Sequence, residues 1–154
     1  MRIIKTVFLL IAMLLAMPIG VQAQLKKTSN TEKVKSFTNG SVTLYKSIIE
    51  DGDTIYSVSL RNNSRYFDNV VFHLGTKDEM IKNLHDLYTA LKEGKKGDSF
   101  EFSASGVDYL LSYDKVLGQV CFRVREPHSI TDDFGRFYKA TIDSIITYLE
   151  KDNW

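Results

Sequence analysis

Four side chains in this sequence have the chemistry and the predicted placement to hold an anionic group: Arg61, His73, Arg123 and Arg125. Each falls on a strand-like run in which alternate residues are apolar. The period of two therefore sends all four to the same side of a sheet, opposite the side that carries Val70, Phe72, Val120 and Phe122. Arginine guanidinium groups on such a face can clamp a carboxylate or phosphate with paired N–H donors. The same residues also suit a solvated sheet face, where charge discourages edge-to-edge aggregation.

Other chemistry finds less support. Zinc needs three or four converging donors, and His73, His85 and His128 have no ligand-like neighbours, so no metal is expected. Asp51-Gly52-Asp53 resembles a fragment of a calcium loop but lacks the later acidic positions and the closing glutamate. The run Gly94–Ser99 holds lysines and glycines in the wrong order for a phosphate loop, and no cofactor is expected. Cys121 is the single cysteine, so no disulfide forms within the chain. Arg123 and Arg125 on its side of the strand would favour a thiolate, whereas its neighbours Val120 and Phe122 favour a buried, inert thiol. Glu101 and Asp108 would form a carboxylate pair if they faced one another across a hairpin.

The elements that carry these residues follow from periodicity. Val70–Leu74 is a short apolar strand broken by Gly75. Thr76 with Glu79 forms a capping-box pattern, and Met80, Ile81, Leu84, Leu87, Tyr88 and Leu91 then recur at helical spacing. Lys92 and Gly94 suit the end of that helix. Asn39-Gly40, Asp51-Gly52 and Ser105-Gly106 are turn signals between alternating runs. A weaker strand-then-helix unit runs from Gln119 to Leu149. Its helix opens at Thr131 to Asp133 and buries Phe134, Phe137, Tyr138, Ile142, Ile145, Ile146 and Leu149. Gly135 falls inside it, where close contact with the sheet would explain a glycine.

The order is βββα-βββα, which reads as an α+β domain. Its sheet is mainly antiparallel, of about six strands, with both helices packed on one face. Residues 37–154 form that domain, preceded by a polar leader over 24–36.

Residues 1–23 read as a signal peptide. Arg2 and Lys5 precede eleven apolar residues, Val7 to Met17, and Val21-Gln22-Ala23 ends the segment with small residues where a peptidase cuts. The run is short of the roughly 20 residues a spanning helix needs, so no stable membrane anchor is expected. The sequence thus points to export, into a periplasm or out of the cell. Asn62-Asn63-Ser64 is a formal glycosylation acceptor, which matters only in a eukaryotic host. Loss of residues 1–23 moves the net charge from +1 to about −1. That near-neutral balance argues against nucleic acid as a partner.

The leading expectation is a small exported, non-enzymatic domain that binds a protein or a cell-envelope component. Two alternatives remain: a small-ligand (anion) binder or enzyme using the outer sheet face, and a structural homo-oligomer, such as a homodimer packed through that face.

Overall fold

A computed structural model describes residues 30–49, 51–63, 69–126 and 133–151. The fold is α+β, with eight antiparallel strands in two four-stranded sheets and two helices. The first sheet is a meander of β1 (Asn30–Phe37), β2 (Val42–Ile48), β3 (Thr54–Leu60) and β4 (Val70–Gly75). Helix α1 (Lys77–Glu93) follows. The second sheet is a matching meander of β5 (Ser99–Ala104), β6 (Val107–Val116), β7 (Gln119–Arg125) and β8 (Gly135–Tyr138), and α2 (Lys139–Glu150) closes the chain.

Two strands depart from the six expected. Asn30–Phe37 was expected to be mostly leader but pairs with β2 along its whole length, with a bulge between Lys33 and Lys35. Its polar residues are matched across the pair: Lys46 Nζ lies 3.0 Å from Glu32, and the Thr31 and Ser47 hydroxyls are 2.9 Å apart. A polar edge strand has little hydrophobic alternation, which is why it resembles a leader. The second addition is β8. Gly135–Tyr138 was expected inside the second helix but pairs with β7, Phe137 opposite Phe122 and Arg136 opposite Arg123. Gly135 packs close to the first sheet: a Cβ there would stand 2.7 Å from Leu60 Cβ and 3.2 Å from Val70 Cβ. The expected closeness to a sheet is therefore present, in a strand rather than a helix. The expected signal peptide, residues 24–29 of the leader, His128 and the Thr131 helix start lie outside the described residues.

The first helix starts where the capping pattern placed it. The Thr76 N–H and hydroxyl both donate to Glu79 Oε2, at 2.8 and 2.9 Å. Gly75 precedes them at φ +95°, and any Cβ there would collide with Glu79. Met80, Leu84, Leu87 and Leu91 are buried, while Ile81 stays partly exposed.

Instead of lying on one sheet, the helices bridge two. They pack on each other, α1 also touches β3, β4 and β7, and α2 touches β1, β7 and β8. One hydrophobic cluster draws on both sheets and both helices. At its centre the fully buried Phe72 of β4 meets Phe102, Tyr109 and Phe137 of the second sheet, at ring-centroid distances of 4.9, 4.8 and 5.9 Å. No helix among the described residues is long and apolar enough to cross a membrane.

Candidate functional site

The two sheets are joined at a corner, and the corner contains a cleft. Beyond Leu60 the chain leaves β3 and pairs with the start of β8. Asn62 bridges Gly135, the Asn63 N–H donates to the Phe134 carbonyl at 3.0 Å, and the Phe134 N–H donates to Asn63 Oδ1 at 2.7 Å. These bonds hold Arg61 and Arg136, from different sheets, against one opening of about 380 Å³. One wall is Arg61, Asn62 and Asn63. A second is Arg136 and Tyr138 of β8, and the third is Thr38, Ser41 and Val42 at the start of β2.

The third wall is conformationally unusual. Thr38, Asn39 and Gly40 form a 3-10 turn with φ of +50°, +53° and +87°. A β-branched residue in the left-handed region is costly and persists only where its surroundings hold it. Here the Thr38 hydroxyl lies 2.9 Å from that of Thr141 on α2, and the Arg61 N–H donates to the Ser41 carbonyl at 3.2 Å. The wall is thereby tied to a helix and to the Arg61 wall.

The electrostatics of the cleft are one-sided. Arg61 and Arg136 line it, and no carboxylate does so among the described residues. Arg136 stands directly opposite Arg123 in the β7–β8 register, a like-charge pairing that is unfavourable by itself. Phe134 and Asp114 offset it. The two guanidinium carbons lie 5.0 Å (Arg123) and 4.9 Å (Arg136) from the Phe134 ring centroid, within cation–π range. Arg123 Nε donates to Asp114 Oδ2 at 2.8 Å, and that bond holds the Asp114 carboxyl below the usual carboxylate range. Arg136 Nε, by contrast, is buried with no hydrogen-bond partner.

The four residues expected to share one face are divided between the sheets. Arg61 lines the cleft. Arg123 supports its neighbour Arg136 through the Phe134 stack without lining the opening. Arg125 is opposite Leu110, at the far end of the β6–β7 pair from Cys121. His73 sits on β4, where its N–H donates to the Tyr109 hydroxyl at 3.1 Å. Burial lowers the His73 pKa, opposed by the charge of Glu126, and Nδ1 is buried without a partner. Arg136 escapes the sequence reading because a helical period runs through its segment, which the structure places in β8. The alternation of Gly135, Arg136, Phe137 and Tyr138 was the available signal.

Geometry decides between the two readings that the sequence offers for Cys121 and for the Glu101/Asp108 pair, in each case for the non-catalytic one. Cys121 is fully buried, and burial pushes its thiol up to about 11. Asp114 adds to that rise, and the nearby Arg136 and Arg123 oppose it without prevailing. The thiol is therefore not activated. Glu101 and Asp108 do not face one another: Glu101 is opposite Leu110, and Asp108 is opposite Ser103, whose hydroxyl donates to Asp108 Oδ1. Among the described residues no group of three or more His, Cys, Asp or Glu side chains is placed to hold a metal ion. Comparisons with protein families, with curated proteins and with solved structures return no match.

Proposed function

We propose that this chain is an exported, non-catalytic binding domain whose recognition element is the corner cleft, and that its ligand is anionic. The observation that carries this reading is the state of Arg136. Its Nε is buried and unpartnered, and the residue lines a cleft with a second arginine and no carboxylate among the described residues. A buried donor without an acceptor is costly, and a carboxylate, phosphate or sulfate bound between the two arginines would supply charge and acceptors to their guanidinium groups. Among the described residues no nucleophile–base pair accompanies the arginines in the cleft lining, which favours binding over catalysis. Titration calorimetry of the purified protein with inorganic phosphate and with sulfate tests the reading. Binding that weakens with salt, and is lost in both Arg61→Ala and Arg136→Gln, is the expected result. Equal affinity in the variants would sink it.

A second reading, a protein or envelope partner, draws on Val71 and Leu110. Both are apolar, and they are 44% and 38% exposed. Two copies packed through that surface are a special case. Light scattering at high concentration separates it, since a strict monomer excludes the homodimer.

A further inference from the structure

The non-ionic lining of the same cleft narrows the ligand class, and we propose that the cleft takes a small acidic sugar: a single polyhydroxylated ring bearing one carboxylate or phosphate. This rests on the anion-binding reading above and adds to it. A volume of about 380 Å³ is at the lower end of small-molecule pockets, and several times what a lone carboxylate or phosphate fills. The arginines account for the charge only. The rest of the lining is of two kinds.

Ser41 and Tyr138 bring hydroxyls, and Thr38, Asn62 and Asn63 add a hydroxyl and amides that keep hydrogen-bonding capacity beyond the bonds Thr38 makes to Thr141 and Asn63 makes to Phe134; such groups exchange hydrogen bonds with ligand hydroxyls in both directions. Tyr138, part-exposed, also has a ring whose apolar face would suit the C–H face of a sugar, whereas Val42 is buried and contributes little. A nucleotide is the competing class that the test below includes. The left-handed turn at Thr38–Gly40, tied to Thr141, holds its wall in place before the ligand arrives, which limits the entropy lost on binding.

Calorimetry with five probes tests the class: inorganic phosphate, glucuronate, glucose 6-phosphate, glucose and adenosine monophosphate. Either sugar acid is expected to bind about tenfold or more tightly than inorganic phosphate, with glucose undetected. Ser41→Ala should narrow the gap between sugar acid and phosphate, with thermal melting confirming that the variant is folded. Phosphate binding as tightly as both sugar acids would overturn the sugar class and leave the anion reading standing. The nucleotide binding best would do the same. Glucose binding as well as its acidic forms would overturn both readings, as would the absence of any binding.

Discussion

The hydroxyl of Tyr109 is seated on the open edge of β4, accepting from the His73 N–H at 3.1 Å and donating to the Val71 carbonyl at 3.3 Å. The ring belongs to β6 and is buried, so a core residue of one sheet caps the edge of the other. An open strand edge is a template for unwanted pairing, and here one phenol occupies two of its backbone groups. Burial raises the Tyr109 pKa above its ordinary value, opposed by the bond from the His73 N–H. Tyr109→Phe keeps the ring and deletes the cap. It should cost about 1–3 kcal/mol by leaving two backbone groups unpaired. Urea unfolding checks this: the midpoint should fall with the slope unchanged.

Gly135→Ala should be as damaging for a steric reason. Its new Cβ would meet Leu60 Cβ at 2.7 Å, on backbone that is not left-handed, so no conformational strain is involved. Overpacking of this kind costs about 1–3 kcal/mol. A thermal midpoint equal to that of the wild type would show that the corner between the sheets yields freely.

Acid should weaken the fold partly through Asp114 and Glu79. Arg123 holds the Asp114 pKa down, and the Thr76 N–H and hydroxyl do the same for Glu79. A carboxylate with a depressed folded-state pKa stabilises the fold above its unfolded value of about 4. That contribution is lost as pH falls through the folded pKa. Asp114→Asn should therefore flatten the stability profile below about pH 4 and leave its acid limb shallower than that of the wild type. An unchanged acid limb would mean that the Asp114–Arg123 pair is fully screened by solvent.

Cys121 should resist modification. A fully buried thiol with its pKa pushed up to about 11 offers almost no thiolate at pH 8. A thiol reagent such as Ellman's should react slowly with the native protein and at once in denaturant. Rapid reaction of the native protein would show that β7 opens locally.

The arrangement Arg61, Arg136, Phe134 and Arg123 also explains which parts of the site could be read in advance. Arg61 is legible because the apolar residues Tyr56, Val58 and Leu60 of β3 recur with a period of two, which leaves the exposed Arg61 just beyond the strand on the other side. Arg136 was hidden because the segment from Phe134 to Leu149 satisfies a helical period along its whole length. Pairing with β7 overrides that period for four residues, and the Gly135–Tyr138 alternation is too short to stand out against it. The Thr38 wall was announced only as an Asn39-Gly40 turn. Its left-handed threonine is imposed by neighbours distant in sequence, including Thr141.

What the sequence determined by itself was local. It specified the α+β class, the hairpin turns at Asp51-Gly52 and Ser105-Gly106, the capped start of α1 and the inward set Phe72, Leu74, Tyr109 and Leu111, because side-chain period and turn chemistry act over a few residues. Tertiary structure alone decided that one expected sheet is two, that a polar leader is an edge strand, and that Arg61 and Arg136 meet. Each of those depends on pairing between segments far apart in the chain. The hydrogen bonds and buried area that reward such pairing appear only once the chain has closed on itself.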